Sequence, residues 1–282
     1  FVFTPFDVRL SANGLRGPDL GPKEPDELRV LIAGDSYTFG WGMDEGQDYA
    51  SELRAQLTTL RGGKPASVVN CGANGYGPWQ ARVLMEKRGF PLDPDVVVLQ
   101  LYPANDGWNS LAKWGKTLPA YGPKMVEYVA YWRDYDHWVM RAETRLRRHW
   151  FAYHVVRTRF AGLNESLPIL LSHFRFLPAY HPKPVAPKPV RPPMIEQCLV
   201  DWYPDLQVGW DEMERDVLGI VEECRARGVP VFVYALPFPV FDRAVWDGYI
   251  AQVQAEYGTD LTYEQFRDVR AAEAFFQREG IP

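Results

Sequence analysis

Short, almost wholly apolar runs alternate along this chain with stretches whose apolar residues recur at helical spacing. Leu28-Arg29-Val30-Leu31-Ile32-Ala33, Ala66-Ser67-Val68-Val69-Asn70-Cys71, Asp95 to Tyr102 and Pro230 to Pro237 have strand length and β-branched or aliphatic composition. Tyr49 to Arg61, Trp79 to Arg88 and Trp210 to Arg227 read as helices between them. Strands that are apolar throughout need cover on both faces, the mark of a parallel sheet between two helical layers. The expected fold is therefore α/β, a flavodoxin-like three-layer α/β/α sandwich. Right-handed crossovers would gather the loops that follow the strands along one edge of its sheet.

The alternation breaks between Gly107 and Asp205. The pattern predicts three segments: 1–106, the N-terminal part of the α/β domain; 107–205, a helical and proline-rich insertion; and 206–282, the C-terminal part of the same domain. Within the insertion, Trp132 to Phe160 reads as helical. It carries Arg141, Arg145, Arg147, Arg148, Arg157 and Arg159, with Glu143 as the one acid after Asp136. His181 to Pro193 alternates proline with Lys, Val and Arg and is expected to be extended and semi-rigid. A basic face of this kind is by default solvated surface. The sharper reading is a membrane-proximal or protein-docking face, or a site for an anionic lipid or polysaccharide. Near the end, Thr262 with Gln265 three residues on has the form of a capping box opening a helix from Tyr263 to Glu279. Gly280-Ile281-Pro282 then punctuates it as a helix stop that normally precedes another element. A fifth strand and its loop are expected after Pro282.

Composition narrows the partners. Hydrophobic residues make up 46% of the 282 and charged residues 24%, ordinary for a globular protein. The net charge of −5 offers no general attraction to nucleic acid. Three cysteines lie far apart with no CxxC and no Cys/His cluster, so neither a metal nor an organic cofactor is expected. Cys71 and Cys224 fall in apolar patterns and are expected to be buried thiols. No apolar run reaches the roughly 18 residues of a membrane span. The chain opens on Phe1, which leaves room for an export signal or anchor upstream and an extracytoplasmic location.

The candidate chemistry sits in three loops that the topology would bring to one edge. Gly34-Asp35-Ser36 follows the first strand, Asn70-Cys71-Gly72-Ala73-Asn74-Gly75-Tyr76-Gly77 the second, and Ala104-Asn105-Asp106 the third. Acyl transfer needs a hydroxyl nucleophile and N–H donors aimed at a developing oxyanion. Ser36 supplies the hydroxyl. The backbone N–H of Ser36, a backbone N–H at Gly75 and the side-chain amide of Asn105 supply donors. Taken singly, each loop is ordinary turn chemistry.

In these blocks the chain resembles the SGNH hydrolases, also called GDSL esterases and lipases. Gly34-Asp35-Ser36 matches the first block of that family, Gly75 the second-block glycine and Asn105 the third-block asparagine. Ser11-Ala12-Asn13-Gly14-Leu15-Arg16-Gly17 is similar to a lead-in of bacterial members related to polysaccharide acylation. The resemblance implies Ser36, Gly75 and Asn105 as catalytic residues of a serine esterase acting on O-acyl, notably acetyl, groups of a carbohydrate or lipid. An O-acyltransferase acting on an envelope polysaccharide and a catalytically inactive binding or structural subunit are the alternatives. Pro103 stands where the family has glycine. The fourth block of the family, Asp-x-x-His, follows the last strand and would lie beyond Pro282; its histidine is the general base. Asp134-Tyr135-Asp136-His137 has that spacing but lies in the insertion, as do His149, His154, His173 and His181.

Overall fold

The computed structural model describes residues 6–112, 192 and 194–282. Residues 1–116 together with 191–282 form one compact unit, and 117–190 a second. The expected features of Trp132–Phe160, of His181–Pro193 apart from Pro192, and all five histidines lie outside the described residues.

Four parallel strands form the sheet: β1 (Leu28–Gly34), β2 (Ala66–Gly72), β3 (Val96–Leu101) and β4 (Val231–Ala235), in the order β2-β1-β3-β4. Successive side chains of a strand point to opposite faces. Leu31, Ala33, Val69, Cys71, Val97 and Leu99 pack into the larger core, while Val30 and Ile32 pack into a second one on the other face. Continuous apolar strands thus serve two cores at once, as the three-layer expectation requires.

Helix α2 (Tyr49–Leu60) covers the second face with Ala50, Leu53 and Leu57. The first face is covered by α3 (Pro78–Leu84), by α5 (Pro204–Ala226) and by α7 (Arg267–Glu279). They contribute Ala81, Trp210, Met213, Val217, Ile220 and Phe275. Two short helices lie along the loop edge, α1 (Ser36–Phe39) and α4 (Pro103–Ala112). Helix α6 (Arg243–Tyr257) builds a separate cluster from Trp246 and Val253 with Ile195 and Cys198. All three cysteines are buried free thiols.

Several elements depart from the sequence pattern for tertiary reasons. Gly107 to Ala112, expected at the start of the insertion, continue α4 as one helix. Gly107 and Gly209 let α4 and α5 meet backbone to backbone, since a Cβ on Gly209 would lie 3.0 Å from the Gly107 carbonyl oxygen. Ile195–Cys198, also assigned to the insertion, form a buried 3₁₀ turn. Thr262 does not cap the last helix. Its carbonyl accepts from Val200 N–H at 3.0 Å, and the Gln265 amide reaches back to the carbonyls of Val240 and Phe241. The helix starts instead at Arg267 after a left-handed Phe266. Helix α6, capped by Asp242 accepting from Val245 N–H, has no counterpart in the sequence reading.

Candidate active site

Ser36 occupies the first position of α1, directly after β1, and is half-buried. The turn works because residue 34 is glycine. A Cβ there would lie 2.7 Å from Gln100 Oε1 and 3.0 Å from the Gln100 carbonyl oxygen on β3. Asp35 caps the turn, its Oδ1 accepting from Tyr37 N–H at 2.9 Å. Its carboxylate is therefore spent on structure, while the Ser36 side chain is left at the edge.

The second loop is tied to the first. Ala73 N–H donates to the Gly34 carbonyl at 3.2 Å, and the Asn70 amide donates to the Thr38 carbonyl at 3.0 Å while its Oδ1 accepts from Gly72 N–H. Gly75 lies beyond these ties at φ +71°, exposed, with open space where a Cβ would be. The left-handed backbone, not crowding, is what asks for glycine here.

The third segment is the first turn of α4 and not the loop expected from sequence. Pro103 takes the first helical position, where its missing N–H costs nothing and its fixed φ suits the helix. Asp106 Oδ2 accepts from Tyr102 N–H at 2.6 Å and so caps the helix from within. Asn105 is half-buried. Its Oδ1 faces Asn109 Nδ2 at 3.5 Å, and its amide approaches the Asp35 carboxyl closely enough to stabilise the charge there. Asp35 Oδ2 closes no hydrogen bond of good geometry.

All three segments meet pairwise. Loop one touches loop two through the bonds above. The Tyr37 ring on α1 lies 4.9 Å from that of Tyr102, just before α4. Gly77, closing the second loop, fits against Asn109 and Asp106 of α4, with 2.8 Å from its Cβ position to Asn109 Cβ. The structure thus brings together the elements that carry Ser36, Gly75 and Asn105.

Buried carboxyls colour this edge. Burial raises Asp35, partly offset by Tyr37 N–H and by Asn105. Burial raises Asp106 well above the carboxylate range, and the nearby Asp35 pushes it further. Two buried carboxyls within electrostatic reach of each other resist being charged together, and Asp106 is pushed the more strongly towards its neutral form. Among the described residues no cluster of His, Cys, Asp or Glu could hold a metal ion.

Arg16 gains a role that the pattern did not expose. It is buried, and its guanidinium donates to the carbonyls of Phe39, Gly40, Met43 and Asp44 and pairs with Asp48 at 3.6 Å. It clamps the chain that leaves the Ser36 turn. The one signal in the sequence was the lead-in Asn13-Gly14-Leu15-Arg16-Gly17, which names the residue but not its contacts.

No protein-family model matches the chain, and no curated protein matches it. Solved structures do. AlinE4, an SGNH-hydrolase family esterase, is 14% identical over 92% of this chain and 95% of its own, with a TM-score of 0.35. A protein from Parabacteroides merdae ATCC 43184 assigned as a GDSL-like lipase is 16% identical over 93% of this chain and 99% of its own, with a TM-score of 0.31. BT4096, a gut microbial diltiazem-metabolizing enzyme, is 13% identical over 92% of this chain and 48% of its own, with a TM-score of 0.30.

Proposed function

We propose that the chain is the body of an SGNH-type serine hydrolase that cleaves acyl esters. One observation carries the reading. The turn with Ser36, the loop with Gly75 and the helix start with Asn105, far apart in sequence, are tied pairwise at the C-terminal edge of one parallel sheet.

In this reading Ser36 Oγ attacks the ester carbonyl and its proton passes to a histidine outside the described residues. The carbonyl oxygen becomes an oxyanion, held by the N–H groups of Ser36 and Gly75 and by the Asn105 amide. Each donor would be worth roughly 2.7–4 kcal/mol of transition-state stabilisation. The C–O bond then breaks, the alcohol leaves with the proton, and an acyl-serine remains. Water adds to it, returning the proton to Ser36 and releasing the acid. The substrate class is an O-acylated carbohydrate or lipid.

A fluorophosphonate probe tests this on the complete gene product. The expected result is covalent labelling that Ser36→Ala abolishes, with Asn105→Ala lowering kcat for a small ester by about 10²–10³-fold. Labelling of the wild-type protein no faster than Ser36→Ala overturns the proposal.

A further inference from the structure

A groove of about 730 Å³ opens beside the Ser36 turn, between the N-terminal segment, the second loop and α3. Its floor and walls are mostly apolar. Trp41 and Tyr76 stand near the loop edge, Val8 and Leu15 come from the N-terminal segment, and Trp79 and Val83 lie along α3. Trp41 and Trp79 are about half-exposed, Trp41 with the Phe6 ring packed edge-on against it at 5.2 Å.

The polar groups of the groove are few and sorted by place. Arg16 is committed to four carbonyls, and Gln80 accepts from Gly77 N–H at 3.1 Å. Among the described residues no Asp or Glu lines the groove. Two cations remain. Lys87 and Arg88 follow Trp79 by eight and nine residues, on the π-helical turn Met85–Gly89 that continues α3. Arg88 donates to the Asn13 carbonyl at 2.5 Å, and Lys87 is exposed with no ion pair among the described residues.

We infer that this groove binds a single-chain amphiphile: an aliphatic chain lying along the aromatic and aliphatic walls, with a carboxylate or phosphate at Lys87 and Arg88. Apolar walls supply the affinity, which grows with each methylene buried. The charge pair at the far end sets the direction in which the chain lies. The site stands on the groove alone and does not depend on Ser36 being a nucleophile.

Calorimetric titration of the Ser36→Ala protein, which removes turnover from the readout, tests it. Dodecanoate and dodecyl phosphate are expected to bind once per chain below micelle formation, with a negative heat-capacity change. Acetate is expected not to bind. Lys87→Glu is expected to weaken dodecanoate roughly fivefold while leaving the uncharged dodecyl maltoside unchanged. Trp79→Ala is expected to weaken both amphiphiles about tenfold. Both side chains are exposed, so circular dichroism should show both variants folded. Failure of dodecanoate to bind, indifference to both substitutions, or saturable binding of maltohexaose in place of the amphiphiles overturns the inference. So does binding to anionic phospholipid vesicles but not to the free chains, which would make the face a membrane surface.

Discussion

Gly72 offers the most direct way to move the candidate nucleophile without touching it. It closes β2 beside the helix that begins at Ser36. A Cβ at this position would fall 2.5 Å from the Thr38 carbonyl carbon and closer still to the Phe39 backbone nitrogen. Both neighbours are backbone, so no side chain can rotate away. Gly72→Ala must therefore part β2 from α1 by about 1 Å to reach ordinary carbon contact. Overpacking of this kind costs about 1–3 kcal/mol of stability. A displacement of about 1 Å at a reacting group can cost 10²-fold in rate. The expected outcome is a urea midpoint lowered in proportion and a fluorophosphonate labelling rate reduced about 10²-fold in the protein that remains folded. Gly75→Ala is the control: its Cβ would meet nothing, and only the left-handed backbone resists, at roughly 1 kcal/mol. Gly72→Ala with wild-type stability and a wild-type labelling rate would refute the geometry.

Two further predictions concern charge. Burial pushes the Glu27 carboxyl up, but hydrogen bonds from Arg29 and Ser67 override it and hold the group near 2, below its ordinary 4.5. A depressed carboxyl contributes stability that is full above its unfolded pKa and is lost as pH falls from about 4.5 towards 2. Glu27→Gln should thus remove up to about 3 kcal/mol at neutral pH and flatten the acid limb of the stability curve, read by denaturation between pH 7 and pH 2. Equal losses at pH 7 and pH 2 would contradict this. Asp106 is raised instead, by burial and by Asp35. Its folded form favours the proton, so it costs stability as pH rises above 3.8. Asp106→Asn keeps an acceptor for Tyr102 N–H and removes the titration, so it should be neutral or stabilising at pH 8. Asp106→Ala, which orphans that N–H, should lose about 1–3 kcal/mol.

Much of the fold was legible from periodicity. β1 to β3 and the long α5 each announce themselves by runs of apolar residues at one spacing, and parallel pairing follows from strands that are apolar on both faces. What the pattern could not show are features set by distant partners. Helix α7 loses the start that Thr262 and Gln265 suggest because both are captured by other strands and loops. Helix α6 escaped notice because its burial rests on two residues, Trp246 and Val253, in a mostly exposed helix.

The candidate site divides the same way. Ser36, Gly75 and Asn105 could be picked from the sequence because strand-then-turn contexts bring such loops to one edge in any parallel sheet. Tertiary structure alone decided that Asn105 lies in the first turn of a helix, that Asp35 and Asp106 are buried within electrostatic reach of each other, and that Arg16 clamps the exit of the Ser36 turn. The physical reason is range. Spacing reports which face of its own element a residue occupies, whereas burial, repulsion between charges and backbone capture depend on which atoms the folded chain sets against it.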